Sequence, residues 1–428
     1  MQFLSFYSNK NRFYYLFVAS VTALSMYPIL FNGFWRFSDD EWILLNNPQV
    51  FTLDGKIILQ YFTSYTEGQY APINTLIYAT VYHFFRLTPF WYHLISFFFH
   101  LANTLLVFRF VLGLLRLHHG ESRELHKFIA IFTAIAFGIH PMQVETIVWV
   151  AASKTVICSF FILLSLSMYV KWLNEKSLFF YLLAFLFFII SFGVKEQGVI
   201  IPVCLLLIDY LAGRKLIAKK LIVEKIPFII TALFCGIISL QGQVIYAGPD
   251  FFKSKYYPLW ERLIFSCYSL TLYITKITLP LSLSPYYPFP VAPEKHVPIW
   301  LYIFPVLIVI LVCFLFFLII KKKRLVVFCI TFFVLNLILM LHIIPLARFG
   351  MMADRYIYIS IVGYFMLLGS FLSKASWFQK QPNRLGAIIM IYFLTLGVYA
   401  NTRARNWDAI VSETEAQLSI FWKKGGFH

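Results

Sequence analysis

The sequence predicts an all-α, polytopic membrane protein with about eleven transmembrane helices, and three observations predict it. The chain has 428 residues, 60% of them apolar and 20% aromatic, and only 13% charged. Soluble domains carry about 25% charge, and a soluble fold this apolar would expose large hydrophobic patches to water. The apolar residues also fall into runs near the ~20 residues a helix needs to cross a bilayer core. Finally, basic residues gather on alternate connections between the runs. These features exclude a cytosolic globular enzyme and a disordered chain, which would need few apolar residues. The net charge of +17 would suit a nucleic-acid binder, but in a membrane protein the side on which the charge lies carries the information.

Taken in order, the runs are roughly 13–34, 89–108, 128–140, 155–170, 177–194, 198–212, 226–247, 298–320, 325–344, 356–373 and 385–401. Each is too apolar all round for a surface helix. The first has basic flanks but no small-x-small cleavage site, so it reads as an uncleaved anchor. With the N-terminus in the cytoplasm, the inside segments hold 20 basic and five acidic residues, and the outside segments 16 and 14. That split, +15 inside against +2 outside, follows the positive-inside rule. Lys321-Lys322-Lys323-Arg324 sets the late spans, and Arg214, Lys215, Lys219, Lys220 and Lys225 set the middle. Residues 259–280 are apolar enough for a helix, but a span there would put Lys321–Arg324 outside. They read as embedded in the outer leaflet or re-entrant. The organisation expected is one membrane domain, 1–402, with outside-facing interfacial helices and a short extracytoplasmic tail, 403–428. The six cysteines lie in apolar stretches without metal-type spacing and read as small buried hydrophobes.

Polar groups in such a chain are expensive and therefore informative. After the first run comes Trp35-Arg36-Phe37-Ser38-Asp39-Asp40-Glu41-Trp42, three acids between aromatics that favour the membrane interface. One reading is a helix cap with acids in the first turn; the other is a general base or metal ligand at the lipid–water boundary. Later outside segments add His140 with Glu145, Lys154, the pair Lys195-Glu196 inside an apolar run, and Arg348 with Asp354-Arg355-Tyr356. Each cation alone reads as a snorkelling residue. Together, these outside segments suggest a shared polar site.

A carboxylate facing membrane-edge cations suits transfer from a lipid-linked phosphate. Arg or Lys binds the phosphate and stabilises it as it leaves, while a carboxylate takes the proton of the acceptor hydroxyl. Without a second, nucleophilic carboxylate, the displacement is direct and inverting. The acids would also suit Mg²⁺ or Mn²⁺, so a divalent cation remains an open cofactor.

The chain resembles the multi-spanning GT-C glycosyltransferases that use polyprenyl-phosphate sugars, and within them the transmembrane and tetratricopeptide-repeat O-mannosyltransferases and their bacterial relatives. The landmarks run in order through nearly the whole chain: Ser38-Asp39-Asp40 with Asn47-Pro48; Tyr70-Ala71-Pro72-Ile73; Tyr92-His93-Leu94; His100-Leu101-Ala102-Asn103; His140-Pro141 with Glu145, Trp149 and Lys154; and Lys195-Glu196. They continue with Leu206-Leu207-Ile208-Asp209-Tyr210, Leu283-Ser284-Pro285-Tyr286-Tyr287, Ala353-Asp354-Arg355-Tyr356-Ile357-Tyr358 and Asn406-Trp407-Asp408. The resemblance implies an extracytoplasmic active site in a bacterial plasma membrane, with Asp39 as base and Asp40 its alternative. It implies donor-phosphate binding by Arg355, Lys195 and Lys154, and a cavity shaped by Glu41, His140, Glu145, Glu196 and Tyr356. The implied partners are a polyprenyl-phosphate sugar, mannose among the candidates, and a protein or glycolipid acceptor. The chain departs from the family pattern at Ala71, Gln143 and Ser153, and residues 403–428 carry no tetratricopeptide pattern. Three other readings stand beside this one, the first, given those departures, being a structural relative that has lost activity. A transporter or lipid flippase would line a pathway with the same polar residues, and an oligosaccharide ligase or polymerase would transfer a larger donor.

Overall fold

The computed structural model describes residues 9–36, 38–118, 122–247, 257–292, 295–343, 350–375 and 380–423. The fold is all-helical, 79% helix, with no strand among the described residues. Among the described residues, six helical segments are long and apolar enough to cross a membrane: Arg12–Phe31, Pro89–Leu117, Val150–Glu175, Lys219–Tyr246, Ile299–Ile320 and Pro382–Arg405. The chain is thus compatible with a multi-pass membrane protein.

The helices follow the apolar runs. Helix α1 spans Asn9–Met26, and a proline-started 3₁₀ turn, Tyr27–Phe31, extends it. The connection that follows is itself helical, with α2 at Gly55–Thr63 and α3 at Pro72–Phe85. Then come α4, Pro89–Leu117, and α5, Arg123–Ile139, which Ser122 caps by accepting the Leu125 N–H. A short helix, α6 at Gln143–Val148, leads into α7, Ser153–Glu175, and α8, Leu178–Val194. They are followed by α9, Ile201–Leu211, and α10, Lys219–Ala247. The rest are α11, Leu259–Thr278; α12, Ile303–Ile320; α13, Arg324–Ile338; and α14, Ile361–Lys374. Last come α15, Pro382–Arg405, and α16, Trp407–Lys423.

Several expected spans fold short. Helices α5, α8, α13 and α14 have 17, 17, 15 and 14 residues, and α9 only 11. The missing lengths lie in irregular backbone. His140-Pro141 ends α5, a 3₁₀ turn at Glu196–Ile200 precedes α9, and another at Asp354–Ile357 precedes α14. Of residues 259–280, Leu259–Thr278 form one unbroken 20-residue helix, α11, so no reversal of a re-entrant kind occurs in it.

The core is centred on α4, α5, α7 and α14. In α7, 78% of the apolar window is buried within the protein, whereas in the α12 segment only 6% is. Helix α12 therefore presents Val309, Ile310, Phe316 and their neighbours outward, a face that suits lipid and not water. Polar pins fix the helix crossings inside the core. Asn103 of α4 donates to the Val156 carbonyl of α7 at 2.8 Å and to the Tyr358 hydroxyl at 3.0 Å. His100, one turn earlier, meets the same hydroxyl at 2.8 Å and donates to the Gly138 carbonyl at 2.9 Å. Buried polar groups of this kind are stable only when partnered, so these pins set which helix faces meet. They also hold the start of α7 and the 353–358 segment against α4, where the candidate site lies.

Candidate active site

The site begins with the backbone that leaves the first span. A five-residue π-helical turn, Glu41–Leu45, follows the acidic run and directs its three carboxylates differently. Asp40 points inward and is buried. Its Oδ1 accepts the Ala151 N–H at 2.7 Å and its Oδ2 accepts the Trp35 N–H at 2.9 Å. Asp40 thus fastens the 35–40 loop to the backbone that opens α7. Burial drives its carboxyl up, Asp39 adds repulsion, and the two N–H bonds oppose the rise, leaving it at about 7. Asp39 is half-buried, and its Oδ1 accepts the Trp42 indole N–H at 3.3 Å. Glu41 turns away toward Asn46, whose amide donates to it at 2.6 Å.

Opposite this loop stands Arg355. Its guanidinium pairs with Glu145, lies 4.6 Å from the Trp149 ring centroid and 4.9 Å from that of Tyr356. Stacking of this kind favours Arg over Lys. Burial alone would lower its pKa, but Tyr356, Glu145 and Asp39 outweigh that and raise it. Asp39 and Arg355 are therefore electrostatic neighbours. Trp149 binds the two sides together, because its indole donates to Ser38 Oγ at 3.1 Å and its ring stands 4.9 Å from Trp35.

Beneath Arg355 lies a second layer that is fully buried. Glu145 accepts the Asp354 N–H at 2.9 Å. Asp354 pairs with Arg403 of α15 at 2.8 Å and accepts the Tyr287 hydroxyl at 2.8 Å. Arg403 also donates to the Pro141 carbonyl at 2.9 Å. Four segments distant in sequence are thereby tied under one guanidinium. Arg403 and Tyr287 were not singled out from the sequence as site residues. Tyr287 carried a signal in its landmark motif; Arg403, beside Arg405 at a helix end, reads as ordinary snorkelling.

The remaining candidates line the periphery or brace it. Lys154 donates to Gln69 Oε1 at 2.6 Å and lies 5.8 Å from the Trp42 ring, beside the residue that holds Asp39. Lys195 is buried and donates to Thr155 Oγ1 at 2.8 Å, next in sequence to Lys154. Glu196 is half-buried in the 3₁₀ turn that follows. His140 is fully buried, its Nδ1 accepting the Met142 N–H at 3.2 Å and its Nε2 donating to the Ile277 carbonyl at 3.0 Å. It braces the end of α5 against α11. The structure thus brings Asp39, Asp40, Glu145, Arg355, Tyr356 and Lys154 around three tryptophans, Trp35, Trp42 and Trp149. Glu41 faces away from that group, and Arg348 lies outside the described residues.

A divalent cation fits this donor set poorly. Both oxygens of Asp40 already accept N–H bonds, and Glu145 is engaged by Arg355 and the Asp354 N–H. Among the described residues no group of three or more His, Cys, Asp or Glu side chains is placed to hold a metal. What the arrangement presents instead is a stacked, oriented guanidinium with a half-buried carboxylate near it.

No known protein-family model matches the chain, and no curated protein matches it in sequence.

Proposed function

We propose that the protein is a membrane glycosyltransferase of GT-C type. It would transfer a sugar, mannose among the candidates, from a polyprenyl phosphate to an acceptor hydroxyl on the extracytoplasmic face of a bacterial plasma membrane. In this reading the eleven apolar runs are eleven spans, the N-terminus is cytoplasmic and the C-terminus extracytoplasmic. The short helices complete their crossings through the irregular turns that flank them.

The reading rests above all on Arg355. A guanidinium clamped by Glu145 and stacked beside Trp149 and Tyr356, with side-chain exposure of 22%, is pre-oriented for an anion yet open to one. Arg binds phosphate through two parallel N–H bonds. Asp39 is the carboxylate on the facing loop. The acceptor oxygen attacks the anomeric carbon as the bond from that carbon to the phosphate oxygen breaks. Asp39 takes the acceptor's proton, and the polyprenyl phosphate leaves with its new charge facing Arg355. One displacement inverts the anomeric configuration. Asp40 is the brace that holds Asp39 in register, since both of its oxygens are occupied by backbone donors.

The test is incubation of the purified protein with radiolabelled polyprenyl-phosphate sugars and protein or glycolipid acceptors. Label moving to an acceptor with release of free polyprenyl phosphate supports the transferase. Transbilayer movement of intact donor in proteoliposomes, without release, overturns it in favour of a flippase.

A further inference from the structure

At the far end of α7 from the candidate site, the bundle has a lateral groove of about 590 Å³, within the size range of small-ligand sites. Its walls are apolar: Trp172, Leu178, Tyr181, Val223 and Pro227. Leu178 and Val223 are largely exposed, so the groove opens sideways onto the apolar flank of the bundle, not down into a solvated pit.

Two polar residues, Lys220 and Glu224, also line the groove. Glu224 brings no net negative charge. Its carboxylate is held by Arg214 at 3.0 and 2.7 Å. Nearby, Asp209 pairs with Arg214 at 2.6 Å and with Lys225 at 2.7 Å, so these two acids and two bases balance. What remains at the rim is positive. Lys220 is exposed, and Lys176 stands 5.2 Å from the Trp172 ring centroid. Partial burial holds the Lys176 ammonium below its ordinary pKa; the positive charges of Arg214 and Lys220 push the same way, and the carboxylates of Glu224 and Asp209 oppose them. With Arg214 neutralised by its two acids, Lys176 and Lys220 are the cations left at the rim for an anion to meet.

An apolar groove opening onto the lipid-facing flank, with a cationic rim at the bundle's end, matches an amphiphile with an apolar chain and an anionic head. We propose that this groove is a binding site for an anionic phospholipid, one acyl chain lying along Trp172, Tyr181 and Pro227 and the phosphate between Lys176 and Lys220. Basic pockets beside spanning helices recognise lipid phosphates in this way. The proposal is independent of the chemistry at the other end of the bundle.

The test is native mass spectrometry of the delipidated full-length protein in detergent. It is titrated with phosphatidylglycerol, with phosphatidylcholine of the same chains, and with glycerol 3-phosphate. Phosphatidylglycerol should bind at least tenfold more tightly than phosphatidylcholine, and glycerol 3-phosphate should neither bind comparably nor displace it. Lys176→Gln and Lys220→Gln should each cost about fivefold in phosphatidylglycerol affinity, and the double variant should reduce it to the phosphatidylcholine level. Val223→Trp, which fills the groove from its rim, should lower retention of both lipids. Equal binding of the two lipids by the parent, or unchanged selectivity in the double variant with its melting temperature unaltered, would overturn the proposal. Full competition by glycerol 3-phosphate would also overturn it, by showing a headgroup-only anion site.

Discussion

Two buried ionic clusters stand near opposite ends of α7, and each is built from two carboxylates and two strong cations. Near the C-terminal end of α7, Asp209, Glu224, Arg214 and Lys225 close on one another around the Tyr169 hydroxyl, which donates to Asp209 at 2.8 Å. Arg214 contacts both acids, and Lys225 reaches both as well, at 2.7 and 3.8 Å. Near its N-terminal end, Glu145–Arg355 and Asp354–Arg403 are separate pairs stacked one above the other, joined by the Asp354 N–H. The difference is one of closure. The first cluster neutralises itself in a ring and locks α7, α9 and α10 together. The second has a sealed lower pair and an upper pair whose arginine keeps one face accessible. The same residue types serve as a fastening in one place and, in our reading, as a binding surface in the other, and layering sets them apart.

Substitutions can break this comparison at each level. The largest effect should come from Asp39→Asn, which keeps an oxygen for the Trp42 N–H but removes the base. Transfer should fall about 10²–10⁴-fold while the melting temperature holds. Retention of activity in Asp39→Asn would sink the base assignment. Next is Lys225→Met in the closed ring, which leaves Asp209 and Glu224 sharing one cation. Loss of one partner from a buried pair costs about 3–5 kcal/mol, so thermal unfolding should drop sharply while the folded fraction keeps its specific activity. A variant that is stable but inactive would reverse the roles assigned to the two clusters.

Arg355→Lys retains charge but loses the planar fork and the stacking. Loss of charge-assisted hydrogen bonds worth about 1.5–3 kcal/mol should raise KM for the donor roughly ten- to hundredfold, with stability little changed. Arg403→Gln, in the sealed layer below, should instead lower stability and activity together, which separates a positioning residue from a binding one. A separate effect, seen in the pH dependence of stability, concerns Asp40, whose pKa is raised from 3.8 to about 7. The folded state then holds the proton more tightly than the unfolded state between these values, so this residue's contribution makes stability fall as pH rises from about 4 to 7 and level off above. Melting curves of Asp40→Asn should lack that slope. Curves parallel to the parent's across the window would show that Asp40 is not its source.

The helical class and the approximate positions of the helices were legible in the sequence because hydropathy reports the solvent each residue prefers. Lengths were less so. The count of apolar residues does not distinguish α-helical turns from the irregular backbone at Lys195–Ile200 or Asp354–Ile357. Arg355 and Glu145 stood out as charges in apolar surroundings, and the structure pairs them. The division of labour within Asp39-Asp40-Glu41 did not stand out. Adjacent residues of one charge look alike in sequence, and only the turn at Glu41–Leu45 sends one inward and another away. Arg403 was hidden for the opposite reason. Its partner Asp354 is 49 positions away, and nothing local marks the pair. Asp209 read as an acid at the membrane edge, while its burial in a ring of charges depends on how α7, α9 and α10 pack.

The joining of early and late sequence around the candidate site bears on how the protein is made. The Gly33 N–H is held by Asp408 at 3.3 Å, the Trp35 indole by Glu415, and the Ala404 carbonyl accepts the Asn32 amide at 2.9 Å. Asp354 waits for Arg403. A nascent chain made only as far as α14 has Asp39 and Arg355 but no cation beneath Asp354 and nothing to clasp the 32–35 strip. The site is finished only by helices that leave the ribosome after α14, so, on the transferase reading proposed above, synthesis itself times the onset of activity, and a chain cut before residue 403 should insert yet stay silent in the transfer assay.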